Sequence, residues 1–195
     1  NTEYLAFFME SEKNEIKSDL IRKAINIGFD KRKMIKFLRN GVGIPANAGF
    51  IPIGLPGYKK NNINKYNPEL AKSYVKKFKE QFNMSPSLKL TTSSNYLDFC
   101  EFIQKELEKL GIEIIIDVIP GSALKQAKAN GKLDFFRASW IADYPDAENY
   151  LSLFYSKNFA PNGPNYTHFS DYEYDKIYEN SLRETEPEKS KLIYS

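Results

Sequence analysis

The chain has 195 residues, 42% of them apolar, including 13 Tyr and 14 Phe, which is enough for one packed domain. Twenty-eight Lys and Arg stand against 25 Asp and Glu, a net charge of +3 with the basic residues scattered among acids rather than gathered into the stripe a nucleic-acid footprint needs. No window approaches the run of about 18 apolar residues that a membrane span requires, since Ile112–Ile119, the most apolar stretch, is broken by Glu113 and Asp117.

In chain order, the apolar run Tyr4–Met9 predicts a first strand. Ser18 is placed to cap a helix starting at Asp19, in which Leu20, Ile21, Ala24, Ile25 and Ile27 recur at helical spacing. Asp30 caps a second helix through Leu38, closed by Asn40-Gly41. Its basic run, Lys31 to Lys36, is expected to form a solvated helix face. Residues 43–67, punctuated by Gly43, Pro45, Gly49, Pro52, Gly54, Pro56 and Gly57, form a long loop of the kind that binds or packs. Asn67-Pro68 opens the next helix, with proline in the first turn where its missing N–H costs nothing.

Leu88–Thr92 reads as a strand, Tyr96–Leu110 as an amphipathic helix ended by Gly111, and Ile112–Ile119 as a β-branched strand. A short helix at Ser122–Ala129, a strand at Leu133–Trp140 and a helix at Asp146–Tyr155 follow. After an Asn/Pro/Gly loop at 158–168, helices are expected at about 171–184 and 187–195. Strands alternating with helices define an α/β unit with a partly parallel sheet. Ligands in such sheets bind beyond the carboxyl ends of the strands, which directs attention to Arg137–Asp143.

The chemical inventory is thin. One His (His168) and one Cys (Cys100) provide no metal-ligand spacing and no catalytic triad, and neither a phosphate loop nor a Gly-x-Ser-x-Gly elbow occurs. No metal, cofactor or catalytic residue is therefore assigned. Cys100 falls on the core face of its helix, and His168 reads as a loop residue. Asp146 is placed to cap the following helix. Asp143 leaves two readings open: an Asx-turn holding the chain reversal, or a partly buried carboxylate that receives a cationic ligand group.

Four stretches, in this order, carry a resemblance: Leu20-Ile21-Arg22-Lys23-Ala24-Ile25-Asn26-Ile27-Gly28-Phe29-Asp30-Lys31, Tyr66-Asn67-Pro68-Glu69-Leu70-Ala71-Lys72, Ile103-Gln104-Lys105-Glu106-Leu107-Glu108-Lys109-Leu110-Gly111-Ile112, and Trp140-Ile141-Ala142-Asp143-Tyr144-Pro145-Asp146. With Tyr174-Asp175-Lys176-Ile177-Tyr178 they resemble the family 5 extracellular solute-binding proteins, the oligopeptide- and dipeptide-binding group. The resemblance runs over essentially the whole chain. It implies an α/β fold, a lobe of the type II periplasmic-binding-protein kind, with a mixed sheet flanked by helices. Residues 1–195 would be the second lobe of a two-lobed receptor, with the first lobe, a leader and any lipid anchor outside this chain.

The resemblance further implies a substrate-binding component of an ABC importer, monomeric, in the periplasm or on the outer face of the cell membrane. Its partners would be a peptide or other small solute and the permease subunits, without nucleic acid. In oligopeptide-binding relatives the Trp-x-x-Asp motif supplies a carboxylate for the ligand's α-ammonium group, which puts that role on Asp143 with Trp140 as an apolar wall. Arg137, three residues before the Trp, is in the place of an Arg that meets the ligand carboxylate. Asn95 stands where some relatives have His, Lys128 in place of a second Arg, and Gly121-Ser122 where peptide binders often carry Trp. The family also holds nickel, haem and oligosaccharide binders. Alternatives of other classes are a glycoside enzyme using Asp143 and Asp146, or a sensory partner that contacts a membrane receptor.

Overall fold

The computed structural model describes residues 1–183; the helix expected at 187–195 lies outside the described residues. Four strands form one mixed sheet: β1 (Thr2–Phe7), β2 (Ser87–Thr92), β3 (Glu113–Val118) and β4 (Phe135–Trp140). Their order is β1-β4-β2-β3; β2 runs parallel to β3 and β4, and β1 antiparallel to β4. The first strand begins two residues earlier than its apolar run suggests, because polar Thr2 and Glu3 pair with Trp140 and Ser139. Pairing to β4, more than hydrophobicity, sets that boundary.

Helices α1 (Asn14–Lys17), α2 (Asp19–Gly28) and α3 (Lys31–Leu38) follow β1, and α4 (Pro68–Phe82) precedes β2. Two of the expected starts are seen in atomic detail. The Asp30 carboxylate accepts the backbone N–H of Lys33 at 3.0 Å, and the Asn67 side-chain oxygen accepts that of Leu70 at 3.0 Å. The larger core lies on one face of the sheet. There Ile21, Ala24 and Ile25 of α2, Ala71, Val75 and Phe78 of α4, and Cys100, Ile103 and Leu107 of α5 (Leu97–Glu108) pack on Leu88, Leu90, Ile114 and Phe135. Cys100 is fully buried there, as its spacing predicts.

Strands alternate their side chains between faces, so Phe136 and Ala138 point away from that core. They form a second cluster with Ala6, flanked by Tyr4, Leu133 and Tyr166. The second face is completed by α6 (Gly121–Ala129), by the stretch after β4, and by α8 (Tyr172–Arg183). The long 43–67 loop joins it through Phe50, whose ring lies 4.9 Å from Tyr4 and 5.0 Å from Phe154. Of the two uses expected for that loop, packing is the one seen.

The expected helix at 146–155 is broken. Only α7 (Glu148–Leu151) is α-helical, followed by 3-10 turns at Ser152–Phe154 and Ser156–Asn158. The carbonyls that would continue the helix are taken by side chains: Leu151 O accepts from the Tyr174 hydroxyl at 2.7 Å, and Ser152 O from Asn158 Nδ2 at 3.0 Å. Asn, Ser, Tyr and Phe in this stretch favour helix only weakly, so such competition decides the outcome. The basic run of α3 also departs from expectation. Arg32, Lys33 and Lys36 are exposed, whereas Lys31 turns inward and donates to the carbonyls of Asn26 and Asn64.

Candidate functional site at the carboxyl edge of the sheet

From β2 the chain goes by α5 to β3 on one side, then returns by α6 to β4 on the other. Strand order therefore reverses at β2, and the crevice beyond the carboxyl ends of β2 and β4 is a topological switch point. Antiparallel β1 brings its amino end, with Glu3, to the same edge.

Two segments leave β2 and β4 there. After β2, Ser94–Tyr96 makes a 3-10 turn into α5. Asn95 is exposed on that turn, while Tyr96 folds back over β4. After β4, residues 141–147 reverse direction into α7. The Trp140 indole Nε1 donates to Asn149 Oδ1 at 2.8 Å, and the Asp146 carboxylate accepts the backbone N–H of Glu148 at 2.8 Å. Asp146, expected to cap the helix, instead lies one residue before the N-cap, Ala147, and holds the turn in an Asx arrangement. A further brace is Glu148, which accepts hydroxyl protons from both Tyr144 and Tyr178. Burial and that carboxylate push the Tyr178 hydroxyl well above the usual tyrosine range.

Asp143 stands at the tip of this braced turn. It is exposed, not partly buried as its sharper reading supposed, and among the described residues it makes no hydrogen bond or ion pair. The Asx bond of this turn belongs to Asp146. Asp143 therefore presents a carboxylate with all of its acceptor capacity free, carried by backbone that is fixed on both sides.

Trp140 and Arg137 are an odd number of residues apart and so face opposite sides of β4. Trp140 shares the second face with Ala138. Arg137 shares the first with Leu5 and with Glu3, whose carboxylate it meets in an ion pair. Its guanidinium carbon lies 3.1 Å from the centre of the Tyr96 ring. The stack continues through Phe99 to Arg39, whose guanidinium carbon is 3.8 Å above that ring and whose Nη1 donates to Asp98 at 2.9 Å. Burial draws the Arg137 pKa down to about 10, so it remains a cation at neutral pH. Asp134, the other acid near Arg137 in sequence, pairs with Lys13 at 2.6 Å.

Lys128 is in the last turn of α6, a helix that starts at the carboxyl edge and runs back along the sheet. Seven residues separate Lys128 from Gly121, a rise of about 10 Å along the helix away from the carboxyl edge. Its ammonium lies 5.1 Å over the Tyr166 ring, and burial lowers its pKa. Asp143, Trp140, Asn95 and Arg137 thus lie at the carboxyl edge, Trp140 and Arg137 on opposite faces of the sheet, and Lys128 lies on the second face. His168, expected as a simple loop residue, is a packed one: it stacks on Phe159 at 4.4 Å and its Nε2 bonds the Ala160 carbonyl at 3.0 Å.

Sequence reasoning missed Glu3, Tyr96 and Asn149. Only their register and turn geometry bring them to Arg137 and Trp140, although an aromatic and a carboxylate near a strand-end arginine are signals that could have been followed. Among the described residues no group of three His, Cys, Asp or Glu side chains converges to hold a metal.

This sheet, its switch point and the Trp-x-x-Asp turn beyond it define an α/β unit with a mixed sheet flanked by helices. Residues 1–162 match the family described as bacterial extracellular solute-binding proteins, family 5 Middle, and the chain belongs to that family. It is similar to the oligopeptide-binding protein OppA of Bacillus subtilis, 26% identical over 87% of this chain and 32% of that protein. It is also similar to di/tripeptide-binding protein 2 of Pseudomonas aeruginosa, 26% identical over 89% of this chain and 34% of that one. Heme-binding protein A of Haemophilus influenzae is 24% identical over 100% of this chain and 36% of its own length. The chain thus spans about a third of the curated relatives it matches.

Among solved structures, the periplasmic binding protein DppA from Helicobacter pylori in complex with the peptide STSA superposes with a TM-score of 0.86. It is 23% identical, over 98% of this chain and 37% of that one. The substrate-binding domain of an oligopeptide ABC transporter from Bacillus anthracis gives the same TM-score at 22% identity, covering 99% and 40%. The fold is that of these binding proteins.

Proposed function

We propose that the chain is the second lobe of a solute-binding receptor that captures peptides outside the cytoplasm and delivers them to an ABC importer. Asp143 would hold the ligand's α-ammonium group, and Trp140 would wall the backbone beside it. The observation that carries this reading is the free, exposed Asp143 carboxylate at the tip of a turn braced by Trp140–Asn149 and Asp146–Glu148. A carboxylate without a protein partner on a fixed turn is open to a charge-assisted bond from a ligand. The family assignment and the relatives named for oligopeptide and di/tripeptide binding support the ligand class.

The physical logic suits a nutrient receptor. Peptide side chains vary, so grip must come from the terminal charge and main-chain groups, with water filling side-chain space left vacant. A first lobe closing by hinge motion would complete the site and exclude solvent from the ion pair, strengthening it. Permease subunits would recognise the closed form, and ligand release rather than chemistry would end each cycle.

The test is mass spectrometry of what co-purifies with the full-length protein, before and after Asp143→Asn. A mixture of short peptides that vanishes in the variant is the expected result. A sugar or metal complex, or peptides retained unchanged by the variant, would remove the peptide reading and the role of Asp143.

A further inference from the structure

Arg137 sits at the ligand edge with a side chain only 13% exposed, and its charge is already answered. Glu3 meets the guanidinium from the neighbouring strand, on the same face of the sheet, while Tyr96 covers its plane. Glu3 is itself held in place, since its Oε1 accepts from Asn1 Nδ2 at 2.9 Å. Glu3 takes the Nη2 corner of the guanidinium through one oxygen and Tyr96 covers its plane, so with the rest of the side chain buried little of the planar fork is left for a second carboxylate. A ligand carboxylate arriving here would have to displace Glu3 from the guanidinium and give up the ion pair between β1 and β4. Lys128, the other cation considered, is away along α6 on the opposite face.

We infer that Glu3 is a specificity-determining residue that closes Arg137 to the ligand. The lobe then recognises the cationic end of a peptide through Asp143 and makes no demand for a free terminal carboxylate. The preferred substrate class is peptides with a free ammonium end whose carboxyl end is distant or blocked. This rests on the ammonium reading at Asp143, and the experiment separates the two.

The full-length protein is titrated calorimetrically with one tripeptide in three forms: free at both ends, amidated at the carboxyl end, and acetylated at the amino end. In the native protein, amidation changes the dissociation constant by less than about threefold, and acetylation weakens it by tenfold or more. In Glu3→Gln, Arg137 is released and the free acid is favoured over the amide by tenfold or more. The double variant Glu3→Gln with Arg137→Gln removes both charges together and keeps native affinity within about threefold, with the same indifference to amidation. A tenfold preference of the native protein for the free acid, or a tenfold loss of affinity in the double variant, overturns the role of Glu3. Equal binding of the acetylated peptide overturns the Asp143 reading alone, with the amidation comparison still reporting on Glu3. Failure of all three peptides to bind overturns both.

Discussion

The indole Nε1 of Trp140 donates to Oδ1 of Asn149 at 2.8 Å, so the last residue of β4 is tied to the helix that follows the ligand turn. Asn149 is buried, and its side chain is the partner that lets a tryptophan N–H leave water at this edge.

Replacing Asn149 with Leu keeps the volume but leaves the indole N–H unpaired. The expected cost is about 0.5–1.5 kcal/mol in urea unfolding, because the bond is lost and the indole N–H of a half-buried Trp140 keeps only part of its access to water. Trp140 is the one tryptophan of this chain, so its emission should change in the variant before any unfolding. An unchanged midpoint would mean that the turn does not depend on this bond.

Asp143→Asn is expected to behave in the opposite way. The carboxylate is exposed and unpaired among the described residues, so stability should stay within about 0.5 kcal/mol of native. Affinity for peptides with a free ammonium end should fall by tenfold or more, since an amide cannot form the charge-assisted bond. A destabilisation above about 1 kcal/mol would show that Asp143 holds the fold rather than a ligand.

The contrast between these two positions shows what the sequence makes legible. Helix faces, the Asp30 and Asn67 caps and the strand alternation all follow from local rules, and the structure bears them out. Asp143 and Trp140 were found because a strand end followed by a turn is a local signal. Glu3 and Tyr96 were not, because they reach Arg137 through β1–β4 register and the turn after β2, contacts across more than forty and more than a hundred residues. The broken 146–155 helix has this cause in part: the Tyr174 hydroxyl, 23 residues on, captures the Leu151 carbonyl, while Asn158 Nδ2, only six residues on, captures that of Ser152.

Lys31 gives a pH prediction. Burial lowers its pKa from 10.5 to about 8, so between those values the folded chain has lost a proton that the unfolded chain keeps. The unfolded state binds more protons there, and stability rises with pH. Above about pH 10 the sign reverses. Tyr4, Tyr174 and Tyr178 have hydroxyls pushed up chiefly by burial, so the folded chain keeps protons that the unfolded chain releases, and stability falls. Thermal unfolding should therefore show a maximum near pH 9–10, with a rise of about 1–2 kcal/mol leading to it. Lys31→Met should shrink the rising limb, leaving the smaller rise that buried Lys128 contributes, and keep the alkaline fall in place. A rising limb undiminished by the substitution would remove Lys31 as its source.

Gly28 closes α2 where that helix meets α4 and the end of α5. A Cβ placed on it would stand 2.7 Å from Leu110 Cδ1 and 3.0 Å from Leu107 Cδ2, with Ala71 Cβ at 3.7 Å. Leu107 and Ala71 are fully buried and Leu110 nearly so, which leaves little room to yield. In an exposed helix Gly→Ala stabilises by up to about 1 kcal/mol, through lower backbone entropy in the unfolded chain. Here overpacking opposes that gain and should win, giving a net loss of about 1–2 kcal/mol in urea unfolding. Trimming the neighbour decides the mechanism: Gly28→Ala should cost less when Leu110 is already Ala, because the methyl then fills the space that the leucine vacates. A double-mutant cycle with coupling below about 0.3 kcal/mol would remove the steric explanation.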